Sequence, residues 1–243
     1  MQKWKKVQKM LHHLKSPNKA LLRKNLLAGA PKFPQSAALG TRNEFERLSM
    51  SDSWGEYASD WDANKDAKAY AENAFETLCD TVNFNGLNVL DFGCGTGLLT
   101  EKLSPIASHI VSLDSSQKMI DVLNDKNLLN VSTLSTFLSK ESIDANQTLH
   151  EKFDLIVASS VCSFLPNYED TLILLKSLLT KSGVFIQWDW LAQEEGASSG
   201  LTNNRVQSAL DSAGFNTINI TQPFSLESSK GSMPVLMASA KNA

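Results

Sequence analysis

Three glycines at alternate positions, Gly93, Gly95 and Gly97, follow the apolar run Val89-Leu90-Asp91-Phe92 and precede Leu98-Leu99-Thr100. Glycine carries no Cβ, so a turn of this kind lets backbone N–H groups approach a ligand closely where a strand ends and a helix begins. Two carboxylates accompany the turn: Asp91 inside the strand end, and Asp114 closing the next apolar run, Ile110-Val111-Ser112-Leu113. A carboxylate in the second place can accept two hydrogen bonds from vicinal hydroxyls, a bidentate match for a ribose. The glycine spacing speaks against a dinucleotide, whose Gly-x-Gly-x-x-Gly fingerprint would need a third glycine where Leu98 stands. The plainer alternatives are a tight strand-to-helix connection that binds nothing, a turn carboxylate at Asp91 and a helix cap at Asp114.

Ligands of open parallel sheets bind beyond the carboxyl ends of the strands, so the elements around these residues decide whether they can meet. From Leu87 onward strands and helices alternate, which predicts a parallel sheet covered on both faces. The predicted strands are 89–92, 110–114, 131–134, 153–158, 183–188, 217–221 and 235–240. The intervening helices are predicted over 97–103, 116–123 with Ser115 as N-cap, 171–180, and 203–213 closed by Gly214. Upstream, a helical cap is expected over 44–84, with Trp54, Tyr57, Trp61, Tyr70 and Phe75 as large apolar contacts.

The segment Asp91 to Gly97 resembles the first motif of class I S-adenosylmethionine-dependent methyltransferases, specifically the small-molecule type 11/12 group. Trp61-Asp62 followed by Tyr70-Ala71-Glu72 is similar to the cap helices that precede this motif in many such enzymes. The resemblance covers about 61–242. It implies a doubly wound α/β fold with a mostly parallel seven-stranded sheet of order 3-2-1-4-5-7-6, strand seven antiparallel, over residues 85–243. It also implies S-adenosylmethionine as cofactor, a small-molecule methyl acceptor as partner, and transfer by in-line displacement. The cofactor residues it implies are Asp91, Gly93, Cys94, Gly95, Thr96, Gly97, Asp114, Ser115, Met119, Thr136, Phe137, Ser159 and Ser160. Asp91 would fix the amino group, Asp114 the ribose, and Met119 and Phe137 would lie against the adenine; Met119 at helical spacing reads equally as core.

The sequence departs from the family pattern after strand three. Many relatives carry an acid there for the adenine amino group, whereas this chain runs Leu134-Ser135-Thr136-Phe137. The Asn/Asp-Pro-Pro-Tyr signature of enzymes that methylate nucleic-acid bases and glutamine amides is missing after strand four, at Ser159-Ser160-Val161-Cys162, which makes nucleic acid an unexpected partner. His109 precedes strand two and His150 precedes strand four, both at the wrong end of the sheet for a base. Asp189, between Trp188 and Trp190, is the candidate base or substrate-orienting acid. Its alternative is a strand-end carboxylate bonded to nearby backbone. Trp188, Trp190, Phe164 and Tyr168 are candidates for an apolar acceptor pocket, or else for core.

Composition bounds the rest. The 243 residues carry a net charge of −3, yet residues 1–43 hold ten basic residues and no acid, leaving 13 basic against 26 acidic residues in the remainder. An acidic body disfavours a phosphate backbone as substrate. The basic segment 1–43 reads as a loosely docked extension, a transit peptide, or a surface that meets anionic lipid or protein. The expected location is accordingly the cytoplasm, or an organelle if this segment is a transit peptide. Cys79, Cys94 and Cys162 have no metal-ligand spacing, so no metal site is expected. A non-catalytic cofactor-binding scaffold and, with less support, a nicotinamide-dependent oxidoreductase are the competing functions.

Overall fold

The computed structural model describes residues 54–194, 200–228 and 231–242; the basic segment 1–43 and the beginning of the cap lie outside the described residues. The chain opens with α1 (Ala58–Trp61) and α2 (Lys65–Thr81), whose Asn64 N-cap side chain accepts from the Asp66 and Ala67 N–H groups. There follow β1 (Asn88–Phe92), α3 (Leu98–Leu103), β2 (His109–Asp114), α4 (Gln117–Asp125), β3 (Val131–Ser135) and α5 (Lys140–Ala145). The second half contains β4 (Phe153–Ser159), α6 (Tyr168–Leu178), β5 (Leu179–Trp190), α7 (Asn203–Ser212), β6 (Asn216–Ser228) and β7 (Gly231–Lys241). Single 3₁₀ turns occupy Gln147–Leu149 and Cys162–Phe164.

The strands form one sheet in the order β3-β2-β1-β4-β5-β7-β6, with β7 antiparallel to both of its neighbours and the other pairings parallel. Successive strand side chains face opposite sides, and the core divides by this parity. Val89, Leu155, Val157, Ile186 and Trp188 face α2 and α3, where they meet Ala74, Leu78, Leu99 and Leu103. Leu90, Phe92, Ile156, Ala158 and Phe185 face the other way, toward Leu172 and Leu175 of α6 and Val206 and Leu210 of α7. The buried Trp188 indole donates from Nε1 to Thr77 Oγ1 at 2.9 Å, fixing α2 on its face of the sheet.

Several boundaries differ from the sequence expectation. The α4 N-cap is Ser116, not Ser115, because the Asp114 carboxylate accepts the Ser116 N–H and shifts the helix start by one residue. Helix α6 ends at Leu178 and β5 begins at once, since Leu179 is a core residue paired with Phe153. Strands β6 and β7 pair over nearly their whole length and run well past the apolar segments that mark them in the sequence.

Candidate active site

A cavity of about 790 Å³ opens at the carboxyl ends of β1, β2 and β4, beneath the start of α2. Asp91, Gly93, Cys94, Gly95, Asp114, Ser115, Met119, Thr136, Phe137, Ser159 and Ser160 line it, so the chain brings together eleven residues that the sequence places on five separate segments. Thr96 and Gly97 do not. Thr96 is buried with its hydroxyl donated to Asp62 Oδ1 at 2.5 Å, and Gly97 forms the left-handed N-cap of α3.

The glycines divide by role. Gly95, at φ +55°, has open space where a Cβ would stand, so a ligand can lie close against its Cα. A Cβ on Gly97 would overlap Leu123 of α4, and one on Gly93 would overlap Val161, so these two serve packing of the turn against its neighbours.

Asp114 braces the turn. Its Oδ2 accepts the Gly95 N–H at 2.9 Å and its Oδ1 the Ser116 N–H at 2.8 Å. Each oxygen can accept more than one bond, so both keep capacity for a further donor. Burial pushes its carboxyl above the usual carboxylate range, opposed by these N–H donors.

Asp91 is 1% exposed and accepts from Thr100 Oγ1 at 2.6 Å, while Thr100 and Ser112 share a hydrogen bond of 3.0 Å. Its carboxyl is pushed up to about 7, chiefly by burial and further by the Asp114 charge, against the Thr100 hydrogen bond. An anion with no cation beside it is stabilised best by a positively charged ligand group.

Across the cavity the wall is aromatic: Trp54, Trp61, Tyr70, Phe164 and Trp190. Trp54 meets Phe164 edge to face at 5.2 Å, and Tyr70 meets Trp190 at 5.2 Å and Phe224 at 5.5 Å. Between the walls stands Ser160, at φ +57°, a left-handed conformation uncommon for serine and held by a 2.7 Å bond from its N–H to the Trp188 carbonyl. Such local strain tends to collect at functional sites.

Asp189 lies outside the cavity wall. It is fully buried on the opposite face from Trp190, with Oδ1 accepting the Ser163 N–H at 2.9 Å and Oδ2 accepting from Gln187 Nε2 at 3.2 Å. That is the strand-end carboxylate arrangement, and it holds the turn that carries Phe164. Trp188 and Tyr168 are likewise core, not pocket: the Tyr168 hydroxyl donates to Gln187 Oε1 at 2.7 Å. The sequence singles out neither Trp54, Trp61 nor Tyr70 as a wall of the site. Their signal there is large apolar side chains in the cap and, for Trp61 and Tyr70, the likeness of their strings to the family's cap helices.

The family described as "Methyltransferase domain" matches residues 90–185, the span from β1 through β5 that carries the glycine turn and both acids. Over that span, about two fifths of the chain, the sequence is similar to a methyltransferase domain. An uncharacterised methyltransferase of Schizosaccharomyces pombe is 32% identical over 117 residues, which is 44% of this chain and 41% of that protein. A ubiquinone biosynthesis O-methyltransferase of Glaesserella parasuis is 30% identical over 106 residues, 41% of this chain and 43% of that protein. The chain thus spans less than half the length of these curated relatives. Among solved structures, the DhpI–SAH complex superposes with a TM-score of 0.63 at 20% identity, over 81% of this chain and 97% of that one, a likeness of fold. No helix of the described residues is long and apolar enough to cross a membrane, and no group of ligating side chains among them could hold a metal.

Proposed function

We propose that this chain transfers a methyl group from S-adenosylmethionine to a small-molecule acceptor. The observation that carries the reading is the meeting of Asp91, Gly95 and Asp114 on one wall of a single cavity whose other wall is aromatic. The residues fit the cofactor: Gly95 leaves room for close backbone approach, Asp114 keeps acceptor capacity for a ribose diol, and the uncompensated Asp91 suits an ammonium group. S-adenosylmethionine supplies a methyl carbon on a sulfonium, open to in-line displacement.

On this reading the chain contributes alignment and exclusion of water, which together account for much of the rate in such transfers. Phe137 follows β3 and Met119 lies in the first turn of α4, so these two offer an apolar end for a base, with the Thr136 hydroxyl beside them, on the β2–β3 side of Gly95. Ser159 and Ser160 end β4, where the cofactor side and the aromatic side of the cavity meet. A volume of about 790 Å³ is toward the upper end for one-ligand pockets, in keeping with two occupants. The ubiquinone biosynthesis O-methyltransferase among the relatives supports a small-molecule acceptor.

Calorimetry with S-adenosylmethionine, S-adenosylhomocysteine and NAD tests the cofactor. Binding of the first two and not the third is expected, and binding of NAD alone overturns the reading. Incubation with labelled methyl donor and a metabolite extract then tests transfer: label in a small molecule is expected, and cofactor binding without any turnover favours the scaffold.

A further inference from the structure

Two carboxylates from different parts of the chain brace the turn after β1. Asp114 belongs to the sheet and accepts the Gly95 N–H. Asp62 belongs to the cap, 34 residues upstream of the turn, and its Oδ1 accepts from Thr96 Oγ1, the very next residue, at 2.5 Å. A hydroxyl bonded to a carboxylate makes a stronger link than one between neutral groups. The other oxygen, Asp62 Oδ2, lies 2.9 Å from Lys126 Nζ at the end of α4, and the same ammonium reaches Glu101 of α3 at 3.1 Å. Neither oxygen of Asp62 serves its own helices, since α2 is capped by Asn64.

Asp62 and Thr96 both stand outside the cavity lining, yet each is flanked by residues that form it: Gly95 precedes Thr96, Trp61 precedes Asp62 and Asn64 follows it. A 3.0 Å bond from the Asn64 N–H to the Trp61 carbonyl closes the cap residues into one tight turn around Asp62. We infer that Asp62 is a positioning residue that couples the cap to the cofactor turn: one carboxylate sets the backbone beside Gly95 and seats Trp61 and Asn64 over the cavity. The inference rests on the methyl-transfer reading and adds to it a residue that lines no part of the site and acts through Thr96. The coupling is reciprocal, so a ligand held against the Gly95 turn must tighten the cap by as much as the docked cap tightens that ligand.

The test uses the full chain, with S-adenosylhomocysteine affinity read by calorimetry and amide hydrogen exchange over 54–66 read by mass spectrometry. In the wild type, S-adenosylhomocysteine should slow exchange over 54–66. Thr96→Val keeps the buried shape and leaves Asp62 paired with Lys126, so it tests the link independently of whether Asp62→Ala folds. It should weaken S-adenosylhomocysteine about 3- to 10-fold, the equivalent of one hydrogen bond, and abolish the added protection of the cap. Asp62→Ala should do the same, and the double variant should bind within about twofold of the weaker single one, because both changes cut one link. Asp62→Asn keeps an oxygen for the Thr96 hydroxyl and should restore affinity to within about twofold of wild type. Unchanged affinity in Thr96→Val overturns the inference, as do additive losses in the double variant or full cap protection in Asp62→Ala. A lowered denaturant midpoint with normal affinity also overturns it, by making the bond a packing contact alone. Failure of the wild type to bind S-adenosylhomocysteine overturns the methyl-transfer reading instead.

Discussion

The Gly95 N–H donates to Asp114 Oδ2 at 2.9 Å, so the turn after β1 is held in shape by the acid that ends β2. Cofactor site and fold stability are therefore linked at this carboxylate, and truncating it should disturb both. Asp114→Ala leaves two N–H groups, of Gly95 and Ser116, without their acceptor and should cost about 1–3 kcal/mol in denaturant unfolding. Asp114→Asn keeps one carbonyl oxygen for a brace and should lose less stability, yet weaken S-adenosylhomocysteine binding about tenfold by calorimetry. Unchanged affinity in the Asn variant would make Asp114 a brace alone.

Asp91 gives the site a pH dependence whose sign follows from its raised carboxyl. With its folded value near 7 and its ordinary value at 3.8, the folded protein holds a proton that the unfolded chain has released between those pH values. Stability of the ligand-free protein should therefore fall as pH rises from about 4 to 7 and level off above, and Asp91→Asn should flatten that fall. Asp189, also raised to about 7, contributes a slope of the same sign, so the flattening should be partial. An ammonium beside Asp91 favours its ionised form, so S-adenosylhomocysteine affinity should climb through the same window with release of a proton. Calorimetry in two buffers of different ionisation enthalpy would register it; a pH-independent affinity would place the ammonium elsewhere.

What the sequence shows of this site follows from which constraints leave a mark on residue type. The Asp91–Gly97 turn is legible because a Cβ at Gly93 or Gly97 meets a neighbouring side chain, which restricts those positions to glycine. The central strands are legible because parallel strands buried on both faces read as apolar runs, whereas the order of all seven is implied by the family resemblance and not by the runs. Helix α5 is not, since it buries no residue and so has no apolar period; its one mark is the Ser139–Ser142 capping box. The start of β5 is hidden by exposed Lys181 and Ser182, which read as loop although the chain is already extended. Tyr70 is hidden for another reason: a tyrosine at helical spacing looks the same whether its ring ends wholly in core or borders a cavity. Asp189 was within reach of parity, because a strand that turns Trp190 to the cavity must turn its neighbour away.

Gly95 and Gly97 should separate binding from folding. Both have positive φ, so alanine at either place is strained by about 1 kcal/mol. At Gly97 the added Cβ also overlaps Leu123, and Gly97→Ala should lose about 2 kcal/mol or more in thermal or denaturant unfolding. At Gly95 the space is open, so Gly95→Ala should fold with only the strain penalty and lose S-adenosylhomocysteine affinity tenfold or more. Equal affinity in Gly95→Ala and wild type would mean that no ligand lies against this turn.

Asp189 separates a proton-transfer role from a positioning one. Its carboxyl is raised to about 7 mainly by burial, a value that would suit a general base, but both oxygens are engaged by Ser163 and Gln187 and neither faces the cavity. A side chain sealed behind the wall cannot take a proton from an acceptor in front of it. What it does hold is the Ser163 N–H, and through it the turn that places Phe164 opposite Trp54. Asp189→Asn keeps an oxygen for that N–H and should retain methyl-transfer kcat within about threefold, whereas Asp189→Leu leaves the N–H unpaired, should lose about 1–3 kcal/mol of stability, and should raise KM for the acceptor by loosening Phe164. Loss of kcat by a hundredfold or more in the Asn variant, with stability and KM unchanged, would instead mean that the wall opens during turnover and that Asp189 meets the acceptor directly.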